Sequence, residues 1–275
     1  MAGLAGTVLE DIVALRRRRL EQTRARVPLS QVQAVAGARA ERRDFARALA
    51  GGGLRVIAEL KRASPSRGLI CLDYGPRQVA QGYEAAGAAA LSVLTEEDFF
   101  LGSLADLQEA RAAVGLPVLR KDFILDAYQV FESVAAGADA LLLIVAALTD
   151  GDLRSLLDLC ERERIAALVE VHTEEEVNRA LGAGARLMGV NNRDLRTMEV
   201  SLETSFRLRE KIPSTCIAVS ESGIKTAADL QRLSAAGFSA VLIGERLMAA
   251  PDPGRELAAL LEVVKSEFRS QKADG

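Results

Sequence analysis

The stretch DAYQVFESVAAGADALLLIV, residues 126–145, decides the fold. Asp126 to Ala136 reads as a helix, Ala136-Gly137-Ala138 as the turn that closes it, and Ala140 to Val145 as a strand apolar throughout. Glycine in such a turn supplies the left-handed backbone that ends a helix. The strand does not alternate, which is the pattern of a parallel strand covered on both faces. The same unit recurs along the chain. Small-residue turns at Ala86-Gly87-Ala88, Gly182-Ala183-Gly184 and Ala236-Gly237-Phe238 lead into further apolar runs. Strands are predicted at Arg55–Leu60, Ala90–Thr95, Pro117–Arg120, Ala140–Val145, Ala166–Val171, Leu187–Val190, Cys216–Ser220 and Ala240–Gly244. The gaps between them hold helical segments such as Leu104–Val114, Asp152–Arg164, Thr173–Leu181 and Thr226–Ala236. Eight βα units predict an α/β chain folded as a closed (β/α)8 TIM barrel. An open doubly wound sheet would carry a glycine-rich turn after its first strand. Here Leu60-Lys61-Arg62-Ala63-Ser64 stands in that place.

Residues 1–54 read as a helical extension to a single barrel domain spanning 1–275. Thr7 and Glu10 have capping-box spacing, and the helix they open runs to about Arg24. Pro28 ends it, Ser30 with Gln33 has the spacing to open another, and Gly51-Gly52-Gly53 precedes the first strand. Four consecutive arginines, Arg16 to Arg19, point around the helix cylinder and are expected to form its solvated face.

Composition excludes several classes. Of the 275 residues 49% are apolar and 27% charged, the mixture of a globular protein with a substantial core. The longest apolar run, Ala140 to Leu148, is far short of the roughly 18 residues a membrane span needs. Glu10 and Asp11 interrupt the short apolar opening, so no secretory leader is expected. Cys71, Cys160 and Cys216 match no C-x-x-C spacing and are expected to be reduced thiols in a cytoplasmic protein. A net charge of −3 and 4% aromatics without tryptophan argue against a nucleic-acid partner, and nothing points to a membrane.

In a barrel of this kind chemistry gathers where strands end. The predicted strands end in Glu59-Leu60-Lys61, Lys121-Asp122, Glu170-Val171-His172, Asn191-Asn192-Arg193-Asp194 and Ser220-Glu221-Ser222-Gly223, whereas strand beginnings show no such cluster. Side chains two apart share a side, so Glu59 goes with Lys61 and Asn191 with Arg193. Only six lysines occur among 35 basic residues, and two of them, Lys61 and Lys121, sit at strand ends. Arginine stays protonated whereas lysine can be tuned to give up a proton. Lysine with carboxylate points to proton transfer around a carbonyl. A second constellation points to phosphate: Ser222-Gly223-Ile224, Ile243-Gly244-Glu245 and Ser64-Pro65-Ser66 can turn backbone N–H groups and hydroxyls onto an anion. His172, the single histidine, is expected to orient its loop. No ligand spacing for a metal is found, and no metal or cofactor is expected.

These motifs together resemble the indole-3-glycerol-phosphate synthase family. The resemblance is carried by IAELKRASPS (57–66), LTEEDFFLGS (94–103), RKDF (120–123), LVEVH (168–172), GVNNRDL (189–195), VSESGI (219–224) and LIGERLM (242–248). It implies closure of an indole ring on a phosphorylated substrate, with loss of carbon dioxide and water. It implies Lys121 as the acid on the ketone, Glu170 in the later proton transfers and Lys61 on the substrate carboxylate. Glu59, Asn191 and Glu221 would orient hydroxyls and lysines, with Arg193 and Ser222 supporting the site. Ser64, Gly223, Gly244 and the backbone of Glu245 would hold phosphate. Phe100, Phe123, Leu142, Leu195 and Ile243 would line the aromatic pocket. Association with other enzymes of tryptophan biosynthesis is a further implied partner. The Glu245 side chain departs from members with a small residue there and must turn away or find a base such as Arg246. The first helix lacks the aromatic of some members, which leaves its pocket contacts open. Rival readings are another phosphate-binding barrel, such as phosphoribosylanthranilate isomerase, and a non-catalytic barrel used for binding.

Overall fold

A computed structural model describes residues 6–194 and 197–262. Eight parallel strands close on themselves: β1 (Arg55–Leu60), β2 (Ala90–Leu94), β3 (Val118–Lys121), β4 (Ala140–Ile144), β5 (Ala166–Val171), β6 (Leu187–Asn191), β7 (Ile217–Glu221) and β8 (Ala240–Ile243). Neighbours in sequence are neighbours in space, and β8 returns to β1 with Arg55 opposite Ala240 and Ala58 opposite Ile243. The open-sheet alternative is thereby excluded, and each predicted strand lies within a residue of its observed bounds.

Both faces of the strands are buried, for two different reasons. Ile57, Leu119, Leu142, Leu168, Val219 and Leu242 fill the barrel interior. Val56, Leu91, Leu141, Val169, Met188 and Val241 face the surrounding helices. Many of those helices begin at a side-chain cap. Ser103, Thr149, Thr173 and Thr226 each accept a hydrogen bond from the backbone three residues on, which satisfies one otherwise orphaned N–H. Among the described residues no helix is long and apolar enough to cross a membrane.

The N-terminal extension runs from one rim of the barrel to the other. Its first helix, α1 (Val8–Arg26), starts at Thr7, whose hydroxyl accepts from the Glu10 N–H at 3.2 Å. Glu10 and Asp11 in its first turn and Arg24 and Arg26 in its last complement the helix dipole. The Glu10 carboxylate reaches back to the Gly6 N–H. Helix α2 (Leu29–Ala38) begins at Pro28 without a side-chain cap, so Ser30 and Gln33 lie inside it and do not open it. It packs on the helix Ala127–Ala136. Arg39 and Arg43 then bind the turns before β3 and β4, where the buried Asp139 carboxylate receives the Arg39 guanidinium and the Arg43 and Val118 N–H groups. Helix α3 (Phe45–Leu49) sends Phe45 and Leu49 into the interior beside Ala90, Ala140 and Ala240.

One expectation for this extension is corrected. Arg16 to Arg19 are not simply a solvated face. Arg16 bonds the buried carboxylate of Asp122 at 2.7 Å, and Arg19 grips Asp98 and Glu97. These residues dock α1 across the carboxyl rim, so that Val8, Leu9 and Ile12 overhang the barrel mouth.

Candidate active site

Beneath α1 lies a cavity of about 720 Å3, opening at the carboxyl ends of the strands. Glu59 from β1, Lys121 from β3, Glu170 from β5, Asn191 from β6 and Glu221 from β7 all border it, with Lys61 just beyond β1. The Lys121 ammonium lies 3.1 Å from Glu170 Oε2 and 3.3 Å from Glu221 Oε2. Lys61 Nζ lies 2.8 Å from Glu59 Oε2. All three carboxylates are essentially buried.

Two glycines make room for these acids. A Cβ at Gly189 in β6 would overlap Glu221 Oε1, and one at Gly244 would overlap Glu59 Oε2. A glycine inside a strand often marks such a close approach, and that signal was available in the sequence for Gly189.

Three carboxylates share two ammonium groups, and the charges sort accordingly. Burial alone would push every acid toward its neutral form and every base likewise. Burial favours the neutral lysine at Lys121, but Glu170, Glu221 and Glu59 outweigh it and hold the ammonium above its ordinary range. Glu170 is buried too, yet Lys121 and His172 hold it well below the usual carboxylate range. Glu221 is left as the surplus acid. Burial and the repulsion of Glu170 and Glu59 raise it to about 7 against the pull of Lys121. At neutral pH the site therefore holds a firmly charged ammonium, a firmly charged carboxylate and a carboxyl poised between states.

The strand end carrying Lys121 is anchored from behind. Arg120 is fully buried and bonds Asp122 at 2.9 Å, Glu132 at 2.9 Å and the Ser133 hydroxyl at 3.1 Å. Asp122 also accepts from the Thr95 hydroxyl at 2.6 Å and from Arg16. Despite burial, Arg120 and Arg16 keep the Asp122 carboxyl below its ordinary range. The extension and the lysine strand thus meet on one buried carboxylate.

The far side of the cavity is lined by serines, glycines and arginines. Ser64, Ser222, Gly223, Gly244 and Glu245 border it, together with Arg193 and Arg67. Ser222 and Gly223 both have positive φ, 66° and 78°, a conformation that side chains other than glycine rarely hold without a local reason. The Glu245 carboxylate turns to Arg67 at 2.8 Å and Arg193 at 3.5 Å. Arg246, the base suggested for it by proximity in sequence, is instead paired with Glu256. Arg193 N–H donates to the Asn191 side chain at 3.0 Å, which links the two halves of the site.

An apolar wall completes the cavity. Phe100, Phe123, Leu142 and Ile243 all line it, and the rings of Phe100 and Phe123 are 6.3 Å apart and tilted by 38°. Every residue proposed for the site from sequence borders this one cavity except Leu195, which lies outside the described residues. Sequence reasoning missed Val8, Leu9 and Ile12, although their apolar spacing on an otherwise polar helix was visible. It also missed Arg67, whose partner is distant in the chain.

The profile of the indole-3-glycerol phosphate synthase family matches residues 9–260. The chain belongs to the indole-3-glycerol phosphate synthase family. Among its relatives, the indole-3-glycerol phosphate synthase of Albidiferax ferrireducens is 48% identical over 257 residues, covering 92% of this chain and 97% of that protein. The synthase of Carboxydothermus hydrogenoformans is 45% identical over 261 residues, covering 92% and 99%. That of Chlorobium phaeovibrioides is 49% identical over 246 residues, covering 89% and 95%. Solved structures of more distant barrels show the fold alone. A 3-hexulose-6-phosphate synthase matches with a TM-score of 0.59 at 13% identity, over 75% of this chain and 99% of that one. A mandelate oxidase variant matches with a TM-score of 0.59 at 21% identity, over 79% and 73%.

Proposed function

We propose that the chain is a carboxy-lyase of tryptophan biosynthesis that converts 1-(2-carboxyphenylamino)-1-deoxyribulose 5-phosphate into indole-3-glycerol phosphate, carbon dioxide and water. The observation that carries this reading is the Lys121 ammonium seated between two buried carboxylates in the same cavity as an apolar wall.

The substrate has three recognisable parts, and the cavity offers a surface to each. The aromatic ring fits the wall of Phe100, Phe123, Leu142 and Ile243, with the apolar side of α1 as roof. The phosphate fits the N–H and hydroxyl groups around Ser64, Ser222, Gly223 and Gly244, with the Glu245 side chain drawn aside by Arg67 and Arg193. The ring carboxylate fits Lys61, which would exchange its contact with Glu59 for the substrate.

The chemistry then needs little beyond placed protons. The aromatic carbon bearing the carboxylate attacks the ketone carbon while Lys121 donates a proton to the ketone oxygen. Carbon dioxide leaves and its bonding electrons restore the ring π-system through the nitrogen. Glu170 takes the proton from the ring carbon beside the nitrogen and passes it to the new hydroxyl, which departs as water. Asn191, Glu59 and Glu221 hold the ribulose hydroxyls and the two ammonium groups. Positioned proton transfer of this kind contributes about 10²- to 10⁴-fold per group. Family membership and the three unpaired cysteines support a cytoplasmic enzyme. Incubating purified protein with the carboxyphenylamino-ribulose phosphate and following indole absorbance tests the reading. Failure to form the indole product would overturn it.

A further inference from the structure

We infer that His172 is a positioning residue for Glu170, holding that carboxylate from behind the cavity wall as the imidazolium of a Glu176–His172–Glu170 chain. The proposal rests on the reading of Glu170 as a proton-transfer group and adds what keeps it ready.

The geometry divides the two oxygens of Glu170. Oε2 faces Lys121 Nζ at 3.1 Å, while Oε1 faces His172 Nε2 at 3.4 Å. On the other side of the ring, Nδ1 lies 3.1 Å from Glu176 Oε2, the same oxygen that accepts the His172 backbone N–H at 2.7 Å. Glu176 is itself fixed, in the first turn of a helix capped by Thr173. One carboxylate therefore sets both the backbone and the ring of His172. His172 is nearly buried and borders neither the cavity nor Lys121 directly. It reaches the reaction only through Glu170.

The charges give this arrangement its purpose. Among the described residues, the charged groups facing the imidazole are Glu170 from β5 and Glu176 from the following helix, with Lys121 beyond Glu170. Burial works against a charged ring, but the two carboxylates outweigh it and raise His172 to about 10. The ring is thus a fixed cation at neutral pH. A base that must stay ionised in a buried site gains from a second positive neighbour, because Lys121 gives up its proton during ring closure. For that interval His172 is the cation that keeps Glu170 a carboxylate. Glu170 and His172 are two apart in the chain, and the role is more specific than the loop orientation expected of His172.

The chain has one histidine, so the test is direct. In untagged protein labelled with nitrogen-15 at histidine, the imidazole signals should remain those of the charged ring across pH 6 to 8. Glu176→Gln and Glu170→Gln should each move the titration to lower pH. A neutral ring at pH 7 in the wild type would overturn the proposal without reference to activity. In turnover, His172→Gln should lower kcat by about tenfold or more. It should return the Glu170 carboxyl toward its ordinary range, read as an acid limb of the kcat profile moved up to about pH 4, and leave KM within about threefold. Glu176→Gln should shift the limb in the same direction by less, and it serves where His172→Gln does not fold. A crippled Glu170→Gln beside an unmoved limb in His172→Gln and Glu176→Gln overturns the role of His172 alone. Near-normal turnover of Glu170→Gln overturns the assignment of Glu170, and this proposal with it.

Discussion

Replacing Glu221 with glutamine should make the protein more stable than wild type, and only above mildly acid pH. Glu221 is buried beside Glu170 and Glu59 with one ammonium between them, and its carboxyl is raised from an ordinary 4.5 to about 7. A raised folded-state value means that the fold favours the protonated acid. Stability is therefore lost as the pH rises. Below about pH 4.5 the acid is protonated folded or unfolded, and its contribution is fully present. As pH rises through 7 the folded state must ionise it, and the contribution is lost. The interval corresponds to about 3 kcal/mol at 1.36 kcal/mol per pH unit. Glutamine is nearly isosteric with the protonated acid and cannot ionise. Thermal unfolding of both proteins from pH 4 to 9 should show coincident Tm values at the acid end. The mutant should then pull ahead, levelling off above pH 7 by about 6–12 °C at about 2–4 °C per kcal/mol. Parallel curves, or a mutant that is less stable at every pH, would refute the charge assignment of the site.

The phosphate cradle predicts that sulfate protects the fold, by about 2.7 kcal/mol at 100 times its dissociation constant. Ser222→Asp should abolish the protection, since aspartate tolerates the left-handed backbone at that position while setting a carboxylate in the anion's place. Equal protection of both proteins in thermal melts would place the anion elsewhere. Asp122→Ala should destabilise by about 3–5 kcal/mol in urea unfolding, because it strips a buried carboxylate from Arg120 and Arg16. A cost below about 1 kcal/mol would mean that Glu132 alone compensates Arg120.

The fold was legible because barrel strands are covered on both faces. Ala140–Ile144 is apolar throughout and Ala166–Val171 is apolar up to Glu170, and the glycine turn Ala136-Gly137-Ala138 leads into the first of them. The charged rim was legible for the complementary reason. Lys121, Glu170 and Glu221 each stand at the end of such a run, where a charge contrasts with what precedes it. What remained hidden is tertiary pairing. Helical periodicity assigned Arg16 to solvent, because its partner Asp122 is 106 residues away and arrives only when the extension docks. The same holds for Glu245, whose base is Arg67 at a separation of 178 residues and not its sequence neighbour Arg246. His172 was assigned to its loop, and its approach to Glu170 at 3.4 Å was not drawn from the sequence. Its second partner, Glu176, required the path of the turn between strand and helix.

Lys121→Arg and Lys61→Arg, compared on the carboxyphenylamino-ribulose phosphate, separate the acid from the clamp. Arginine keeps the charge and much of the length but cannot release a proton. Lys121→Arg should therefore bind substrate within about tenfold of wild type, because attraction for its anionic groups survives. It should lose about 10²- to 10⁴-fold in kcat, or roughly 3–5 kcal/mol of barrier. Lys61→Arg, which preserves an ion pair to the substrate carboxylate, should keep considerably more of its turnover. Near-normal kcat in Lys121→Arg, or a deader Lys61→Arg, would contradict the assignment of the acid to the lysine held between Glu170 and Glu221.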